Sequence, residues 1–501
     1  MALFKVSNNR AQFDAAGNEA TDQYGAGIRF TQGGNARVTT ASPTNYNQGL
    51  PMSSTGQVAI VDATAGLPAG TIFHNGLPMS GDKVCVSRNA TAVVSNGLPY
   101  DSAGAVAGDI NFDLNFIGTN TLNPSITFTR ASSATFVGSN GLIQSATTNT
   151  PRFDYDPVTL AAKGLLIEEQ RTNLLTYSEQ FDNVVWTKTS ATVTANAGTA
   201  PDGTQTADLM YPSTSGLYRG VYQQAGVSAA IYTDSFYVKA SGKSWVQVIG
   251  LNGSGNTGVW FNIVNGTVGT QKAGYAGAIT PAGNGWYRVA VTHPSQANPF
   301  VTINVVDGDN VETVTASGTD GVLLWGAQLE AGSFATSYIP TVASQVTRSA
   351  DVASVNTLSP WYNATEGTLY LEADVATLIQ PTAYLAAFND STSNELIGFY
   401  QGNNAVGMID IDNGSILVNI TRTAIAINTP FKAAGAYKLD DFALTLNASA
   451  VATDTTATLP TVNTLNIGSR NGGGSPISGH IRRITYYPRR LSNAELQALT
   501  A

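Results

Sequence analysis

Apolar and polar positions alternate with period two through much of the chain beyond residue 120. Val301, Ile303 and Val305 share one side of a run while Thr302 and Asn304 take the other. Tyr287, Val289 and Val291 alternate in the same way with Trp286, Arg288 and Ala290. Successive side chains on a strand point to opposite faces, so these runs predict antiparallel strands with one buried face. Gly- and Asn-rich clusters at 252–256 and 282–285 supply the turns between them. Two stacked sheets of jelly-roll type are the expected packing.

The alternation resumes after Thr357 in runs at 367–375, 396–400, 465–470 and 479–484. One helix is expected near the end, with Ser492 as N-cap, Glu495 completing a capping box and Leu491 packing on Leu496. Before residue 110 the pattern is looser. Gly49-Leu50-Pro51-Met52, Gly76-Leu77-Pro78-Met79 and Gly97-Leu98-Pro99-Tyr100 read as turns, each followed by a short strand. Such short units bury little by themselves and gain a core from neighbouring copies or another surface. A plain β-meander is the alternative for this region.

With 501 residues the chain exceeds what one core serves, and three parts are expected: 1–110, 111–355 and 356–501. Only 12% of residues are charged, so surface polarity must come from Ser, Thr, Asn and Gly. The 50 glycines point to many tight turns. The fold class is therefore all-β: a short N-terminal β-region followed by two β-sandwich domains. A net charge of −9 lacks the basic face needed to neutralise phosphates, which argues against nucleic-acid binding. No apolar run is long enough for a helical membrane span or for a signal peptide at the N-terminus, so synthesis in the cytoplasm is expected. The single cysteine, Cys85, excludes an intrachain disulfide and reads as a buried thiol in an apolar strand.

Several short signatures occur in order: Phe128-Thr129-Arg130-Ala131-Ser132, Pro151-Arg152-Phe153-Asp154, and Gly164-Leu165-Leu166-Ile167-Glu168-Glu169-Gln170-Arg171-Thr172-Asn173-Leu174. They are followed by Trp325-Gly326-Ala327-Gln328-Leu329-Glu330, Thr336-Ser337-Tyr338-Ile339-Pro340 and Arg348-Ser349-Ala350-Asp351. This series resembles the bacteriophage head-spike or head-fibre domain, which has a carbohydrate-binding-module-like sandwich, over roughly residues 120–351. The last part, with its Ile-Gly strand, Gly-rich loop and terminal Leu-Ser-x-x-Glu-Leu, resembles laminin-G or concanavalin-A-like lectin sandwiches. The resemblance implies a virion structural protein decorating the capsid, docked through residues 1–110 on the major capsid protein or another virion protein. It also implies self-association, with a trimer preferred, and weak multivalent contact with host surface polysaccharide. A tail fibre or tail receptor-binding protein, a polysaccharide depolymerase and a cellular lectin are the alternatives.

Residue chemistry adds little to this. His74, His293 and His480 fall in three regions without metal-ligand spacing. Ser254 sits in a glycine-rich loop with no nucleophile elbow around it. Asp154, Asp156, Glu168 and Glu169 are the acids a glycosidase would draw on. Pairing with Arg130, Arg152 and Arg171 is the better use for them, setting the register between segments. The expectation is a chain without catalytic activity and without a cofactor, with calcium on Asp410, Asp412, Asn413 or Asn389-Asp390 as an alternative. Saccharide contacts are expected from aromatic rings on polar sheets, with Trp245, Trp260, Trp286 and Tyr487 as candidates.

Overall fold

The computed structural model describes residues 112–250, 257–378 and 382–501, together with eight short strand segments between Ala20 and Ser87. In the early part, Leu50–Ser53 pairs with Pro43–Asn47, and Leu77–Ser80 lies between Ile72–His74 and Lys83–Ser87. The Leu-Pro-Met segments are thus strands themselves and not the turns expected from their Gly and Pro. The repeat at 97–100 and the side chains of Cys85 and His74 lie outside the described residues.

Residues Ile110–Ala501 form one compact unit, and it is all-β. It contains two sandwiches, but their boundary does not fall at 355. One sandwich is built from both ends of the unit. Its first sheet runs in the order Ile126–Thr129, Val352–Val355, Thr464–Ile467, Ala383–Asn389, Leu396–Gly402, Ala405–Asp412, Ser415–Thr423. Its second runs Phe153–Tyr155, Ala162–Ile167, Gly479–Tyr487, Glu366–Val375, Phe431–Lys438, Phe442–Leu446, Ala452–Asp454, with Phe112–Asn115 also on Gly479–Tyr487. Leu114, Phe153, Leu165 and Ile167 therefore share a core with Leu371, Phe388, Ile467 and Ile481. Alternation fixes which side of a strand is apolar but not which distant strand it pairs with, so a boundary drawn along the sequence missed this return.

The other sandwich is inserted between the two halves. Its sheets are Thr187–Thr189, Arg219–Gln224, Phe300–Val306, Trp245–Ile249, Val259–Asn262, Thr267–Gln271 and Ala191–Gly198, Ala207–Pro212, Gly321–Ala331, Ala230–Ser241, Tyr287–Gln296, Ala276–Pro281. Val301, Ile303, Val305, Val289 and Val291 line its core as the alternation requires. Thr302 and Asn304, expected to face solvent, are buried as well. The insertion enters and leaves through a two-stranded stem, Arg171–Asn173 paired with Val346–Arg348.

The helix forms over Asn493–Leu499 with the expected capping box between Ser492 and Glu495. Leu491 and Leu496 are buried in one cluster with Tyr370 and Tyr487, which docks this short helix on the sheet.

Candidate functional site

The opening and closing signatures meet at the stem. Arg152 Nη1 donates to Glu168 Oε2 at 2.7 Å, and its Nη2 donates to Asp351 Oδ2 at 2.5 Å. Arg130 Nη1 reaches the other oxygen of Asp351 at 3.0 Å. Arg348 Nη1 lies 2.9 Å from Glu168 Oε2 and also donates to the hydroxyls of Thr336 and Ser337. Ser337 in turn gives both its backbone N–H and its hydroxyl to Glu168, at 2.7 and 2.6 Å. The backbone closes the same joint, since Asp351 N–H donates to Glu168 O and Glu168 N–H to Asp351 Oδ2. Glu330, bonded by Thr336, brings the count to three guanidinium groups and three carboxylates.

All six residues are buried, at 4% exposure or less. Burial works to raise the Glu168 carboxyl, but Arg348 and Arg152 overcome it and hold it well below the usual carboxylate range. Burial likewise opposes the charge on Arg152, which Asp351 and Glu168 restore and push above its ordinary value. Arg348, with less compensation, is pulled down by its burial. A charge network this dry is stable only when its members stay paired. Its members come from both sandwiches and the stem, so it locks the insertion to its host.

Asp154 is tied elsewhere. Its Oδ2 lies 3.0 Å from His480 Nε2, and His480 Nδ1 lies 2.8 Å from Asp374 Oδ1. Asp156 caps a turn by accepting from the backbone of Val158 and Thr159. His293 is buried beside Asp234 at 3.4 Å. Of the three arginines expected to pair with the signature acids, Arg152 pairs with Glu168 and Arg171 with Glu169, while Arg130 pairs with Asp351 instead. The roles of Arg348 and Asp351 were not read from the sequence. The signal available was their charge within a chain that carries few charged residues.

Glu168 and Glu169 are adjacent and diverge, one into the lock and the other toward solvent. Glu169, Arg171, Thr172, Gly332, Ser333 and Phe334 contribute to a cleft of about 560 Å³ beside the stem. The Arg171 guanidinium stands 4.8 Å from the centroid of the Phe334 ring. Its Nε and Nη2 both donate to Glu169 Oε1, at 2.9 and 2.5 Å. Arg348 Nη2 grips the Glu169 carbonyl, so the lock positions one wall of the cleft. Gly332 has φ +124, and a Cβ there would fall on the Arg171 guanidinium. The size is ordinary for a small-molecule site, and a cation–aromatic pair beside a donor and an acceptor suits a hydroxyl-rich ligand.

The expected saccharide contacts fare differently. Trp260 is fully buried with Nε1 donating to Val311 O, and Trp286 is buried with Nε1 donating to Thr199 O. Tyr487 is buried beneath the C-terminal helix. These three rings have no face to offer and are corrected to core residues. Large rings supply most of the area that closes a sandwich, which is why alternation alone did not separate them from surface rings. Trp245 is half-buried at the first position of its strand, close to Gly269.

The calcium alternative also meets other uses of its oxygens. Asp390 accepts from the backbone of Thr392, Asp412 from Asn413 and Thr458, and Asn389 bonds Asn466. No group of three or more His, Cys, Asp or Glu among the described residues is arranged to hold a metal ion. Asp410 is buried, and neither of its carboxyl oxygens has a hydrogen-bond partner among the described residues.

No family model matches the chain, and no curated protein matches it. Among solved structures, it is similar to the CBM40 module of the Ruminococcus gnavus IT-sialidase bound to α2,3-sialyllactose. The identity is 21% and the TM-score 0.25, over 28% of this chain and 84% of that one. It is also similar to the Trypanosoma rangeli sialidase, at 15% identity and TM-score 0.24, over 30% of this chain and 25% of that one. The NanB sialidase of Streptococcus pneumoniae gives 14% identity and TM-score 0.26, over 29% of this chain and 26% of that one. The chain therefore spans about a quarter of these two sialidases. The similar structures include sialidases, which are enzymes, so the expectation of a chain without catalytic activity is withdrawn, and a likeness at this level assigns no activity to the chain.

Proposed function

We propose that this chain is a glycan-binding surface protein of a bacteriophage particle, of the head-spike type, docked through its N-terminal part. The observation that carries the reading is the interlock of the opening and closing signatures. The residues that give the resemblance to head-spike proteins, from Arg130 to Arg171 and from Glu330 to Asp351, are the ones that build the buried joint and one cleft. Signatures that converge in space on a single device support a shared module more strongly than scattered matches do. An inserted sandwich on a short stem is also a suitable way to present a weak binding face outward. Weak sites of this kind gain avidity when many copies engage one surface.

Immunogold labelling of purified particles with antibody against residues 112–501 tests the placement. Label on particle heads is the expected result; unlabelled particles, or label at tail tips alone, would overturn it.

A further inference from the structure

We infer that the cleft between Glu169–Leu174 and Ala331–Phe334 is a subsite for a neutral saccharide. This rests on the glycan-binding reading above and adds the place and the chemical class. The charged side chains lining the cleft are Glu169 and Arg171, one of each sign, and they are paired with each other. A guanidinium already neutralised by a carboxylate has little left to attract an anion, and the net charge of −9 disfavours polyanions further. What the pair does offer is a donor and an acceptor side by side. Arg171 Nη1 and Glu169 Oε2 have no hydrogen-bond partner among the described residues. Adjacent sugar hydroxyls present the complementary set, each both donor and acceptor.

Shape agrees with this. Phe334 is half-buried with the Arg171 guanidinium over its ring, and the rest of its surface offers an apolar contact to the C–H face of a pyranose. Gly332 leaves room for the Arg171 head, and the Arg348 bond to the Glu169 carbonyl fixes the wall from behind. The cleft is preorganised, so binding orders few side chains.

The test uses the full chain with methyl α-D-mannopyranoside, methyl β-D-galactopyranoside and 3′-sialyllactose as probes, followed by saturation-transfer NMR. At least one neutral glycoside is expected to bind more tightly than 3′-sialyllactose. Phe334→Ala and Arg171→Ala each weaken that binding about tenfold or more. Glu169→Gln, which preserves shape and unmasks the cation, shifts preference toward 3′-sialyllactose. Preference for 3′-sialyllactose by the unaltered chain would overturn the neutral class. Loss of binding in Trp245→Ala with both cleft variants unaffected would overturn the site while leaving glycan binding intact. If the unaltered chain binds none of the three probes, the subsite assignment fails. Glycan binding itself is then decided separately on host cells.

Discussion

Arg152 and Asp351 meet at 2.5 Å across 199 positions of sequence, and both are fully buried. Their contact closes the loop of chain that contains the whole inserted sandwich. A buried pair of this kind is costly to break, because the remaining partner is left charged and dry.

Arg152→Met is therefore expected to destabilise the unit by about 3–5 kcal/mol, as measured by denaturant unfolding near pH 7. Asp351 and Glu168 would each lose a cation while keeping one other, Arg130 and Arg348 respectively. A loss below about 1 kcal/mol, the value typical of an exposed pair, would show that the lock is not closed in solution.

Asp410 provides a pH-dependent expectation. Burial first, then Asp412 and Glu395, push its carboxyl up to about 8. Tyr362, also near it, adds no compensating positive charge. A carboxyl raised in the folded state and ordinary in the unfolded one favours folding while protonated. Its contribution is thus complete below about pH 4 and is lost as pH rises through 8. Asp410→Asn should match the original chain in melting temperature at or below about pH 4 and exceed it increasingly as pH rises toward 9. Equal alkaline losses in both would contradict the assignment.

His480 lies between two carboxylates, with Asp374 at 2.8 Å and Asp154 at 3.0 Å. Burial works against its charge, but Asp374 and the hydrogen bonds that the ring donates to both acids raise it above the usual histidine value. Its stabilisation is present below about pH 6.5 and fades as pH climbs through the raised folded value. A ring-nitrogen NMR titration should show both nitrogens of His480 protonated at pH 6, with a midpoint above the ordinary histidine value. A neutral ring with one bare nitrogen would count against the pairing.

The C-terminal helix gives a local check. Ser492→Ala removes the cap that accepts from Glu495 N–H and should cost about 1 kcal/mol. Hydrogen exchange would place the loss in residues 493–499, and an even loss over the sheets would not fit.

Much of the strand content was readable because a strand advertises its buried side every second residue. Val301, Ile303 and Val305 were placed correctly for that reason, and Ser492 and Glu495 revealed the helix through cap chemistry. The return of residues 112–167 to the C-terminal sandwich was not readable. Asp154 and His480 are bonded across 326 positions, and no local preference encodes such a partner. The site was legible in fragments. The acids and arginines were singled out and their structural use anticipated, but Asp351 and Arg348 were seen as signature letters only. Trp260 and Trp286 were drawn toward a surface role by their chemistry, although their indole N–H groups are satisfied by backbone carbonyls inside the fold. Phe334 went unnoticed, because a lone Phe after a glycine and a serine has no periodic signature. Only the fold sets it against Arg171.

Glycan binding is the claim on which the functional account turns, and co-sedimentation of the full chain with host cells tests it most directly. Periodate treatment of the cells cleaves vicinal diols and leaves surface protein largely in place. The chain should sediment with untreated cells and stay in the supernatant after periodate. Sedimentation that is unchanged by periodate, or absent from untreated cells, would contradict that claim.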